Sequence, residues 1–152
     1  MGDVNKVRII PVFLLRNGQL VRSSSFTNHR TIGNPYLQVK RINEWIVDEI
    51  LYIDISTEDE LPKRRTDSAE TPLYEHEDLV GFVGEQCRVP LTWGGRLRNF
   101  RDAADKLNRG SDKIMLTTAL FDHPTLISRL VDEFGSQAVT VGLDCRRMGT
   151  DY

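Results

Sequence analysis

The apolar positions of this chain come in two alternating rhythms, short unbroken runs and helical stripes. Val7–Leu15 is apolar except at Arg8 and Pro11, which predicts a strand buried on both faces. Arg16-Asn17-Gly18-Gln19 follows, and Asn-Gly supplies the positive φ angles of a type I′ turn, so Leu20-Val21 returns as the second arm of a small hairpin. Asn34 then caps a helix with Pro35 at its first position, and Val39, Ile42, Trp45 and Ile46 share one stripe of it. Glu49–Ile55 is a second buried strand.

Ser56–Thr71 is charged and poor in apolar residues, with Lys63-Arg64-Arg65 at its middle, and reads as a solvated loop. A helix carrying Leu79, Phe82 and Val83 on one face follows, and Val89–Trp93 is a third strand running into Gly94-Gly95. Asn99 caps a helix whose apolar set is Phe100, Ala103, Ala104 and Leu107, with Gly110 closing it. Lys113–Leu116 is a fourth strand. Asp122 is expected to cap the next helix, with Leu126, Ile127, Leu130, Val131 and Phe134 on the core face and Gly135 as its stop. Ala138–Leu143 is a fifth strand, ending at Asp144.

Strands joined by helical crossovers lie parallel, and the crossovers are right-handed. Two α/β architectures suit this order: an open doubly wound sheet, or the first part of a (β/α)₈ TIM barrel. The first strand carries no GxGxxG, which weighs against the dinucleotide-binding version of the former. A barrel closes with eight strands, and five leave two open edges. The expectation is therefore a single partial-barrel domain over residues 1–152 of about five parallel strands and four helices. Such a chain is either a piece, or it joins something that completes the sheet.

Composition narrows the chemistry. Charged residues make up 28% of the 152, and the formal net charge is -2. That balance suits a cytoplasmic protein and offers no general nucleic-acid footprint. No apolar run approaches the ~18 residues that span a bilayer. The N-terminal apolar stretch contains Pro11, runs straight into Arg16 and lacks a small-residue cleavage site, so it reads as a strand rather than a signal peptide. Cys87 and Cys145 form no CxxC, and His29, His76 and His123 show neither HxH nor HExxH spacing, so neither a metal site nor a cofactor is expected.

The segments RIIPVFLLRNGQLVRS, FTNHRTIGNP, VDEILYIDI, VPLTWGG, RGSDKIMLTTA, HPTLI and FGSQAVTVGLDCRR, in this order, resemble the cyclase subunit family of imidazole glycerol phosphate synthase. The resemblance runs from about Arg8 to Arg147 and covers roughly the N-terminal half of the family's length. It implies a TIM barrel on whose bottom face a glutamine amidotransferase docks and releases ammonia. The ammonia travels along the barrel axis and reacts at the top with a phosphorylated ribulosyl nucleotide, in histidine biosynthesis. That is a carbon–nitrogen lyase reaction, with two aspartates as acid and base.

Residue by residue, the resemblance places the fifth-strand aspartate on Asp144 and the first-strand aspartate on Leu14, since RII-x-x-L-D-V-K-D-G aligns with RIIPVFLLRNG. Leucine neither accepts nor donates a proton, and losing one of two acid/base groups costs ~10²–10⁴ in rate. Arg22 matches a phosphate-holding lysine, or is simply an exposed hairpin arginine. Gly94 and Gly95 remain of a phosphate-binding glycine loop whose third glycine is replaced by Arg96. Thr117 and Thr118 stand where the family has an Asn-Thr phosphate contact. Asp54 matches an aspartate expected to be structural.

Arg8, Glu49 and Lys113 match charged residues that guard the ammonia inlet, and Asp112 matches an acidic contact to the amidotransferase. All three charges start strands, so spacing alone puts them at one mouth, as a gate or as a stabilising ring. Three readings follow: a cyclase subunit with impaired chemistry; an ammonia-conducting scaffold for sugar amidation in cell-surface polysaccharide (O-antigen) biosynthesis; or an inactive half-barrel fragment.

Overall fold

The computed structural model of the chain describes residues 7–57 and 76–145, with 76–78 described in backbone only. Beyond residue 57, the expected solvated loop lies outside the described residues.

The apolar runs become strands and the stripes become helices, with shifts that have local causes. Strand β1 is Val12–Arg16, shorter than the run from Val7. Pro11 has no N–H to give a ladder, although Ile9 and Pro11 still accept from the N–H groups of Asp48 and Leu51 at 2.9 and 3.0 Å. Asn17 and Gly18, at φ 52 and 70, turn the chain into β2, Gln19–Ser24. A further antiparallel strand that the pattern did not predict, β3 (Asn28–Gly33), extends the hairpin to a meander. Its polar, mostly exposed sequence shows no alternation, as an edge strand allows.

Helix α1, Pro35–Ile42, begins where expected: the Asn34 side chain accepts from the Tyr36 N–H at 2.8 Å. It ends earlier than the stripe implied. Asn43 leaves the helix and ties across to the end of the next one, donating to the Gln86 carbonyl at 2.7 Å and accepting from the Arg88 N–H at 3.0 Å. Trp45 and Ile46 therefore lie outside the helix and are exposed, Ile46 by 95%.

The remaining elements are β4 (Ile50–Asp54), α2 (His76–Gln86), β5 (Leu91–Gly94), α3 (Phe100–Asn108), β6 (Lys113–Leu116), α4 (Ala119–Asp122), α5 (Pro124–Phe134) and β7 (Val139–Val141). Asn99 caps α3 by accepting from the Asp102 N–H at 3.0 Å. Asp122 caps nothing. It closes the short α4, and α5 starts at Pro124, which lacks an N–H and suits a first helical position.

The described residues form one sheet in the order β3-β2-β1-β4-β5-β6-β7, parallel from β1 through β7. With helices following its parallel strands, this is the N-terminal part of a (β/α)₈ barrel. Register assigns the two faces. Phe13, Tyr52, Trp93, Ile114 and Val139 align across the strands and pack with Val39, Ile42, Leu79, Val83, Ala103 and Leu130 of the helices. Tyr52 and Trp93 are fully buried and stacked, with centroids 5.9 Å apart. Burying side chains of this size contributes roughly 1.5–3 kcal/mol each. The next residue along each strand belongs to the other, inner face: Leu14, Ile53, Gly94, Met115 and Thr140 form one row. One row nearer the strand starts are Val12, Leu51, Thr92 and Lys113.

Candidate functional site

At the strand starts, Glu49 precedes β4 and lies on the inner face, by the alternation that carries Leu51 and Ile53. Its carboxylate is buried and collects three donors. Arg8 Nη2 reaches Oε2 at 2.7 Å, Lys113 Nζ reaches the same oxygen at 2.8 Å, and Thr92 Oγ1 donates to Oε1 at 2.5 Å. The three charges expected at one mouth are thus brought together. Thr92 completes the set, and nothing in its sequence context marked it. The signal lay in the period of two, which puts Thr92 beside Lys113 once β5 and β6 pair.

Burial pushes the Glu49 carboxyl up. Hydrogen bonds from Lys113, Thr92 and Arg8, with the Lys113 charge, outweigh it and hold the group below the ordinary carboxylate value. Glu49 is therefore ionised at neutral pH. Asp112 is exposed just before Lys113, and its Oδ2 accepts from the Leu91 N–H at 2.8 Å, tying the start of β6 to that of β5.

At the opposite ends of the strands, a cavity of about 350 Å³ opens between the β5–α3 and β6–α4 loops. Gly95, Arg96, Arg98, Thr117, Thr118 and His123 are among its lining. Gly95, Thr117 and Thr118 are thus brought together as expected, while Gly94 ends β5 beside them. Gly95 has φ +83, and a Cβ there would clash with the Asp54 carbonyl oxygen, so only glycine lets the two segments approach this closely. Arg98 and His123 are lining residues to which sequence reasoning assigns no role: Arg98 lies outside the resembling segments, and His123 opens HPTLI without a spacing that marks chemistry.

Arg96 occupies the left-handed region at φ 57, a glycine-like conformation filled by arginine. Its Nε lies 3.4 Å from Asp54 Oδ2, and its Nη1 donates to the Ser56 carbonyl at 3.2 Å. Asp54 Oδ1 also accepts from the Ser56 N–H at 2.9 Å. Arg22 is not among the residues lining this cavity: it is exposed on β2, opposite Arg30. Asp144 is exposed three residues beyond β7, and Leu14 is half-buried on the inner face.

A profile of the histidine biosynthesis protein family matches residues 8–151. The chain belongs to this family. Curated relatives include the imidazole glycerol phosphate synthase subunit HisF of Chloroherpeton thalassium, 37% identical over 145 residues that cover 95% of this chain and 53% of the relative. The protein of the same name from a Thermotoga species is 34% identical over the same shares. A putative subunit hisF2 of Vibrio vulnificus is 31% identical over 100% of this chain and 52% of its own length. The chain spans about half the length of the curated relatives it matches.

The cavity lies at the C-terminal ends of the strands, the face at which TIM barrels in general carry their active sites. Among the described residues no helix is long and apolar enough to cross a membrane.

Proposed function

We propose that this chain acts as the barrel side of an imidazole glycerol phosphate synthase of the cyclase-subunit type in the cytoplasm, receiving ammonia from a glutamine amidotransferase for histidine biosynthesis. The observation that carries this reading is the Glu49 cluster. An ionised carboxylate with Arg8, Lys113 and Thr92 on it stands at the N-terminal mouth of the inner face. Ion pairs of this kind open and close by side-chain rotation without disturbing the core. Leu51 lies level with Thr92 and Lys113, and Leu14, Ile53 and Met115 lie one row above, an apolar path that suits neutral ammonia and disfavours ammonium. Asp112, exposed at the same mouth, is the acidic contact to the amidotransferase.

At the other end, Gly94, Gly95, Thr117 and Thr118 hold a phosphate of the ribulosyl nucleotide, and Arg22 holds another from the hairpin. Asp144 is the remaining acid/base carboxylate of this lyase chemistry. With Leu14 on the first strand, the ring closure proceeds without its second proton-transfer group, so cyclase turnover is impaired.

The test is co-purification with a glutamine amidotransferase, followed by a glutaminase assay. The chain should stimulate glutamine hydrolysis, and Asp112→Lys should abolish the stimulation. No binding to such a partner sinks the proposal.

Leu14 favours a second reading, in which the chain conducts ammonia to a separate enzyme that amidates a sugar for cell-surface polysaccharide. Turnover of the ribulosyl nucleotide at high ammonia separates the two. Measurable product supports the cyclase, and glutaminase stimulation without product supports the conduit.

A further inference from the structure

Arg96 holds a backbone conformation that arginine disfavours. A glycine suits φ 57 without steric cost, whereas a side chain there is disfavoured. The guanidinium has five N–H donors, and only Nε and Nη1 meet acceptors among the described residues. The Asp54 contact, at 3.4 Å, is longer than the ~2.7–2.9 Å of a well-formed charge-assisted bond. The side chain is nonetheless mostly buried, at 24% exposure, and the residue lines the cavity. An arginine held loosely by a carboxylate, with donors to spare, is placed to change partners.

We propose that Arg96 is a latched phosphate ligand: Asp54 and the Ser56 carbonyl hold its guanidinium at the rim, and a phosphate monoester in the cavity competes with Asp54 for it. This rests on the reading of the cavity as a phosphate site. A phosphate offers two or more oxygens and up to two charges to a planar fork, against one distant carboxylate oxygen from Asp54. Thr117, Thr118 and His123 line the same space and carry further donor groups, and Asp122 is the carboxylate in the lining that an anion must avoid. Asp54 thus sets the affinity by holding Arg96 back, so the two residues act on anion binding with opposite signs.

Titration of the whole chain with inorganic phosphate, read by calorimetry, tests this. Arg96→Gly keeps the backbone conformation and should weaken phosphate about tenfold, the loss of a charge-assisted bond. Arg96→Lys, which keeps the charge but not the fork, should fall between. Asp54→Asn keeps the Oδ1 acceptor for the Ser56 N–H and should tighten phosphate about threefold or more, because the competing charge is gone. In the Arg96→Gly background, Asp54→Asn should change nothing.

A merely structural pair would weaken binding in both single variants, and that outcome overturns the latch. So does wild-type binding that Arg96→Gly and Arg96→Lys leave unchanged, in which case the phosphate site itself stands. Absence of phosphate binding by every variant overturns latch and site together. Thermal melts of each variant confirm that folded protein is being titrated.

Discussion

At the scale of single residues, two buried groups make contrasting predictions. Glu49 is stabilised as the anion, so its contribution depends on pH. Its folded-state value lies below its unfolded value. The unfolded chain therefore binds the proton more readily, and stability is gained as pH rises. Glu49→Gln should cost about 1–2 kcal/mol at neutral pH, discounted because Arg8 is half exposed. In urea melts that difference should persist above the ordinary glutamate value of about 4.3 and shrink as pH falls through the lowered one. A difference that does not vary with pH would contradict the cluster. Tyr52 is the opposite case. Its hydroxyl is buried without a hydrogen-bond partner among the described residues, and burial drives its phenol well above the usual range. Tyr52→Phe should leave stability unchanged or raise it by up to about 1 kcal/mol, measured in the same melts.

Among elements, the closest constraint is where the β5–α3 turn meets the end of β4. Gly95→Ala would place a methyl against the Asp54 carbonyl, in a backbone region that alanine avoids. The expected cost is about 3 kcal/mol or more, seen as a lowered urea midpoint with unchanged slope. Sequence reading worked well for elements with end signals. Asn34-Pro35, Asn99 and Gly135 mark boundaries that the structure keeps. It misled at Trp45 and Ile46, which continue the α1 stripe. There the Asn43 side chain binds the α2 end, a contact that periodicity does not encode. Asp122 failed as a cap for a related reason. Proline at position 124 competes for the start of the helix, and α4 intervenes.

On the scale of the whole molecule, the sheet has consequences that no element has alone. Leu14–Arg16 pair with β2, but among the described residues Val12 and Phe13 have only β4 beside them, and none of those residues forms a strand on the far side of β7. Val12 and Val141 are exposed, and half-buried apolar residues line the inner face. Unpaired edges of this kind template association. Expressed by itself as residues 1–152, the chain should self-associate with rising concentration in sedimentation velocity, and Val141→Lys should reduce the apparent mass. A monomer at all concentrations would run against this.

The order of the parallel strands and their main helices was legible in the chain itself, because apolar period, caps and turn residues are local; β3 and the short α4 were not, and the family was legible only through the resemblance of the quoted segments. The meeting of Arg8, Glu49 and Lys113 was legible too, since each stands at or just before the start of a strand and parallel strands bring their beginnings together. Tertiary structure alone decided which neighbours those groups acquire. Thr92 joins Glu49 through strand register, and Arg96 turns away toward Asp54 because the β5 loop crosses the end of β4. Register and loop crossing are relations between segments about forty residues apart, and no local pattern records them.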